Sequence, residues 1–145
     1  MPSTHEKFWD HHSFALVGHT ARKGFPTLSY REMRAQDRRV YAVDPSVDEI
    51  AGDHAYPDLA SLPEPVEAVL LEVPAEETRD WVVRAADAGI RHVWIHMGRE
   101  TPEALAVAEE RGLEVLTGTC AVMYLKRGLS YHSLHAWINK LSGRY

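Results

Sequence analysis

The chain predicts a doubly wound α/β fold, a mostly parallel five-stranded sheet with helices on both faces and an appended C-terminal helix. Three observations carry this expectation. Short β-branched runs, apolar on both faces, recur along the sequence as strands buried between helical layers do. Stretches between them repeat apolar residues at helical spacing. The length, 145 residues, is that of one ordinary domain, able to bury roughly 68–70% of its unfolded surface. Strand, helix, strand repeated in this way specifies right-handed crossovers and parallel pairing.

In chain order, Met1 to Phe14 is polar and His-rich, and strand runs follow at Phe14–Val17, Val40–Val43, Ala68–Val73, Val93–Ile95 and Leu113–Leu116. A first helix is expected from about Thr27 to Gln36. Asp44 to Pro65 holds Pro45, Pro57 and Pro63, which predicts a loop with at most a short helix near Val47–Ala51. Thr78, Trp81, Val82, Ala85 and Ala86 share one face of a helix ending at Gly89. Thr101-Pro102-Glu103 reads as an N-cap, a first-turn proline and a dipole-favoured acid. That helix is expected to turn Ala104, Leu105 and Ala108 inward and to stop at Gly112. The tail, about 131–142, is amphipathic through Leu134, Trp137, Ile138 and Leu141. Such a stripe predicts docking on the sheet layer, on a second copy of the chain or on a protein partner. One Rossmann-type domain over 1–145 is the reading, its core spanning about 13–125.

Composition narrows the function classes. With 45% hydrophobic and 26% charged residues, the chain has the make-up of a soluble globular protein. No apolar run approaches the ~20 residues of a membrane span, and no apolar h-region marks a signal peptide. Cys120 is the sole cysteine, so a reducing, cytoplasmic compartment is expected. A formal net charge of −5 argues against a nucleic-acid partner, which needs a basic face. A small anionic ligand needs only a few local donors.

In open parallel sheets, ligands bind beyond the strand carboxyl ends where strand order reverses, so the residues after each strand matter most. Gly18-His19-Thr20-Ala21-Arg22-Lys23-Gly24 follows the first strand. Gly18 permits a tight turn, Thr20 offers a hydroxyl, and Arg22 and Lys23 supply positive charge before a helix N-terminus. This is a phosphate cradle or a surface turn, and it lacks the GxGxxG and P-loop patterns. Asp44 before Pro45-Ser46 suits either a ribose hydroxyl or a turn cap. Val73-Pro74 leaves a flat apolar edge, and His96-Met97-Gly98 permits close approach. Thr117-Gly118-Thr119-Cys120 sets the thiol at the same rim, where it is either a small core residue or a partner for a ligand thiol. No acid–base pair adjoins a nucleophile at these strand ends. The histidines His11, His12, His92, His96, His132 and His135 lack the spacing of a zinc site, and no metal is expected. Trp81, Trp94 and Trp137 read as core.

Several segments together resemble the stand-alone CoA-binding domain proteins, related to the CoA-binding domain of the succinyl-CoA synthetase α subunit. The matching pieces are Ala15-Leu16-Val17-Gly18 with Thr20, Val40 through Pro45, Tyr56-Pro57-Asp58-Leu59 and Leu62 through Val69. They continue with Val73-Pro74, Ala88-Gly89-Ile90, His92 through Ile95 with Gly98, Gly118-Thr119-Cys120 and the tail from His132 to Lys140. The resemblance implies coenzyme A as ligand, its diphosphate on Gly18–Lys23 with Thr20 and Lys23 as donors. It implies adenosine against Val43, Asp44 and Pro45, and the pantetheine arm past Val73-Pro74 and Met97-Gly98. His19 departs from the small or apolar residue usual there, and 24–27 is variable. The synthetase's phosphohistidine domain has no counterpart, so binding of CoA or an acyl-CoA without catalysis is expected. The alternatives are an NAD(P)-binding oxidoreductase-like domain and an interaction subunit with a vestigial crevice.

Overall fold

A computed structural model describes residues 7–22 and 24–117. The elements in order are β1 (Phe14–Gly18), α1 (Phe25–Ala35), β2 (Val40–Val43), β3 (Glu49–Ile50) and β4 (Asp53–Tyr56). A 3-10 turn at Leu59–Ser61 leads to β5 (Ala68–Glu72), α2 (Ala75–Asp87), β6 (His92–Ile95), α3 (Pro102–Glu110) and β7 (Glu114–Leu116). The strands form one sheet in the order β3-β4-β2-β1-β5-β6-β7. All pairs are parallel except the β3–β4 hairpin. The sheet therefore has seven strands rather than the expected five, within a Rossmann-like α/β architecture. The two additions, β3 and β4, occupy the segment expected to be loop.

The period-2 rule of a strand divides the core. Phe14, Leu16, Ala68, Leu70 and Trp94 face one side, where Tyr30 and Met33 of α1 and the N-terminal Phe8 cover them. Ala15, Val17, Val69, Leu71, Val93 and Ile95 face the other, against Trp81, Val82 and Ala85 of α2 and Ala104 and Ala108 of α3. Trp81 and Trp94 are thus core residues, as expected. Leu105, expected inward, is 40% exposed. It lies one residue, about 100° of helix, beyond the Ala104–Ala108 seam, and α3 is held close by two small side chains instead. The start of α3 is as expected: Thr101 Oγ1 accepts from the Ala104 N–H at 3.1 Å and Pro102 opens the helix.

The β3–β4 hairpin turns through Ala51 (φ 53°) and Gly52 (φ 86°). Both central residues are left-handed, as a type I′ turn demands, and Ala51 bears the steric cost of a Cβ there. The hairpin attaches to the sheet through the pairs Ala42–Ala55 and Val43–Tyr56. Among the described residues no helix is long and apolar enough to cross a membrane. Lys23, Cys120 and the tail helix expected at 131–142, with its docking stripe, lie outside the described residues.

Candidate functional site

With β1 central, the chain runs outward to β2 on one side and returns to β5 on the other. The switch point is the β1–β5 boundary, and there Gly18 pairs in register with Glu72. A cavity of about 180 Å3 opens beyond these two residues, lined by His19, Pro26, Glu72, Val73, Pro74, His96 and Arg99. Two larger hollows, bordered by Asp58–Val66 with Arg84–Ile90 and by Lys7–His11 with His92 and Glu114–Leu116, lie toward the opposite, amino-terminal end of β5 and β6. Of these three, the switch-point cavity is the one that stands where a doubly wound sheet presents ligands.

Gly18 is demanded by packing. A Cβ added there would stand 2.7 Å from Pro26 Cβ and Cγ, so the start of α1 sits directly on the end of β1. The loop after Gly18 is then tied to the loop after β2. The Thr20 backbone N–H and hydroxyl both donate to Asp44 Oδ2 at 2.7 Å. The Ser46 N–H and hydroxyl donate to Asp44 Oδ1 at 2.8 and 2.5 Å, and the Ala21 N–H donates to Ser46 Oγ at 3.2 Å. Asp44 is fully buried. Of the two roles its position suggested, turn cap and ribose acceptor, this hydrogen bonding is that of the cap. Val43 is equally buried and Pro45 is exposed.

The loop's charges are also engaged across the crevice. His19 Nδ1 stands 2.6 Å from Glu77 Oε2, and Arg22 donates to Glu76 Oε1 at 2.6 Å. The hydrogen bond from Arg22 holds the Glu76 carboxyl below its usual range. Both acids belong to the first turn of α2, whose dipole also favours them. Thr78, buried in the next turn, donates to the Arg99 carbonyl at 2.7 Å and so anchors the loop after β6. In that loop Gly98 takes φ +81°, a conformation side chains resist.

The cavity floor is different. Glu72 is 8% exposed. Ser29 of α1 donates to its Oε2 at 2.8 Å, and Oε1 has no hydrogen-bond partner among the described residues. Burial pushes this carboxyl up to about 8, against a smaller opposing effect of the Ser29 hydroxyl, so it is neutral at pH 7. Burial, helped by Arg99, lowers the His96 imidazole, which favours its neutral form too.

Of the residues expected at the site, His19, Val73 and Pro74 line this cavity, with Gly18 at its base. Thr20, Arg22, Asp44 and Pro45 form the adjoining loops, and Met97 and Gly98 follow His96 in the turn beside it. Glu72, Pro26, His96 and Arg99 were not foreseen as site residues. The available signal for Glu72 was a carboxylate ending the apolar run Ala68-Val69-Leu70-Leu71. No group of three or more metal-ligating side chains occurs among the described residues; His11 and His92 instead stack, ring centres 4.3 Å apart.

A Rossmann-like sheet with a cavity at its switch point defines a class of small α/β domains. Within that class the chain belongs to the CoA binding domain family, whose model matches residues 12–126. It is similar to a hypothetical protein from Pyrococcus horikoshii (25% identity, 88% of this chain and 94% of that one, TM-score 0.75). A conserved hypothetical protein from Pyrococcus furiosus is 26% identical over 77% of this chain and 97% of that one, TM-score 0.69. A dinucleotide-forming acetyl-coenzyme A synthetase from Ca. Korarchaeum cryptofilum shares the fold at 20% identity over 73% of this chain and 26% of that one, TM-score 0.59.

Proposed function

We propose that the chain binds coenzyme A or an acyl-CoA in the β1–β5 crevice, in the cytoplasm and without catalysis of its own. The observation that carries this is the placement of the cavity, at the switch point of a chain that belongs to a CoA-binding family. The residues suit the ligand in parts. The diphosphate is assigned to the loop from Gly18 to Lys23, with Lys23 as a donor and Arg22 and the α1 N-terminus adding positive charge. Adenosine rests on the exposed face at Pro45. The pantetheine arm enters past Val73-Pro74 and Met97-Gly98. At about 180 Å3 the cavity takes the end of that arm and not the nucleotide, since sites for whole ligands measure roughly 300–1,000 Å3.

Arg22 and His19 are engaged by Glu76 and Glu77, so a diphosphate reaches these two side chains by displacing two carboxylates. These pairs are partly or largely exposed and such pairs are weak. A thermal-shift panel tests the reading. CoA is expected to raise the melting temperature with concentration as RT ln(1 + [L]/Kd) requires, and NAD(H) to leave it unchanged. A shift with NAD(H) alone would point to the oxidoreductase-like alternative, and no shift with either to a vestigial crevice.

A further inference from the structure

The cavity floor carries a group that the CoA reading does not use. Glu72 closes β5 beside Gly18, buried, with Oε2 accepting from Ser29 and Oε1 facing no partner among the described residues. Because Oε2 already accepts a hydrogen bond, the proton of the neutral carboxyl belongs on Oε1, which makes that atom a donor. A buried donor left unmade is costly to a fold, and the residue that carries this one lines a cavity. We propose that Glu72 Oε1–H donates to a carbonyl oxygen of the ligand, making the floor of the cavity a subsite for an amide or thioester group. The proposal rests on the CoA reading, and both of its carbonyl sources belong to that ligand: the amides of the pantetheine arm and the thioester of an acyl-CoA.

The surroundings favour this chemistry. His19 from the β1 loop and His96 and Arg99 from the β6 loop share the cavity with Glu72, Pro26 and Pro74 add apolar walls, and Ser29 approaches from α1. Glu77 reaches the cavity only through His19. An amine or other cation would meet Arg99, whereas a neutral carbonyl brings an acceptor and no charge.

The test is calorimetric titration of the intact protein, wild type, Glu72→Gln and Glu72→Leu, at pH 6.5 and pH 9.5. The probes are CoA, acetyl-CoA, pantetheine and adenosine 3′,5′-bisphosphate. Wild-type affinity for CoA or acetyl-CoA is expected to fall as pH rises through the region near 8 where Glu72 loses its proton. Glu72→Leu is expected to weaken binding up to about ten-fold at the lower pH, the worth of one hydrogen bond. Glu72→Gln keeps an N–H donor and is expected to bind at both pH values alike. The bisphosphate, lacking the arm, is expected to be indifferent to both variants. A Glu72→Leu loss shared by CoA, acetyl-CoA and pantetheine assigns an arm amide; a loss confined to acetyl-CoA assigns the thioester. Unchanged binding of CoA and acetyl-CoA by Glu72→Leu, with the wild-type pH profile, overturns the subsite and leaves the CoA reading standing. Failure of the wild type to bind CoA, acetyl-CoA and the bisphosphate overturns the CoA reading. Pantetheine then decides the subsite alone: binding weakened by Glu72→Leu upholds it, and no binding overturns it.

Discussion

The two lips of the crevice are built in opposite ways. On the β1–β2 side, Asp44 spends both carboxylate oxygens on Thr20 and Ser46, and the loops hold their shape without a ligand. On the β5–β6 side, Glu72, which lines the cavity, satisfies one oxygen through Ser29 and leaves the other, buried, without a partner among the described residues. Both carboxyls are buried at strand ends, so burial alone does not set their roles. The difference is the number of donors each meets: two backbone N–H groups and two hydroxyls for Asp44, and one hydroxyl for Glu72. A finished network needs no reorganisation when a ligand arrives, whereas an unfinished one gains from its arrival.

The strongest way to break this comparison is to open the finished side. Asp44→Ala removes the acceptor of four donors, including two backbone N–H groups, and is expected to destabilise the protein by about 2–4 kcal/mol. Urea denaturation reads this directly. A loss below about 1 kcal/mol would show that the loops keep their shape without the clamp.

The unfinished side has a pH signature. Glu72 has its folded-state value raised to about 8 by burial, so the folded chain keeps a proton that the unfolded chain has already lost. Stability is therefore expected to fall as pH climbs from the ordinary glutamate range to about 8, then to level off. This contribution slopes by at most about 1.4 kcal/mol per pH unit. Glu72→Leu should flatten that decline and leave the protein more stable than wild type above pH 8, while binding CoA less well. Parallel pH profiles in the two proteins would remove Glu72 as the cause.

The smallest effect serves as a control that touches neither lip. Ala51→Asn relieves a left-handed alanine in the β3–β4 turn and is expected to stabilise by about 0.5–1 kcal/mol with CoA affinity unaltered. A destabilised variant would mean that Ala51 is held there by contacts the turn geometry does not reveal.

The same turn shows what the sequence hides. The five runs read as strands are strands because their residues are apolar on both faces, a pattern that survives without tertiary knowledge. Glu49-Ile50 and Asp53-His54-Ala55-Tyr56 carry no such pattern. They become strands only because the edge of β2 is there to pair with, and Ala51-Gly52 lacks the Asn or Asp that usually announces a type I′ turn. Phe8 joins the core from a polar N-terminal stretch for a similar reason: Phe14 and Trp94 supply the apolar surface that it meets. At the site, the rule that ligands gather at strand ends was enough to find His19, Val73 and Pro74. Glu72, His96 and Arg99 needed the strand order, because only the β1–β5–β6 adjacency brings them around one cavity.

The pairs Arg22–Glu76 and His19–Glu77 give the mouth of the crevice the character of a small ion exchanger. Its side chains already carry tethered counter-ions, so an incoming anion swaps places with carboxylates that remain attached a few ångströms away. The released acids stay at the positive end of α2, where the helix still favours them. Because the acids do not leave, the local charge becomes more negative by the full charge of the arriving ligand. Dissolved salt then screens the repulsion between that ligand and the displaced carboxylates.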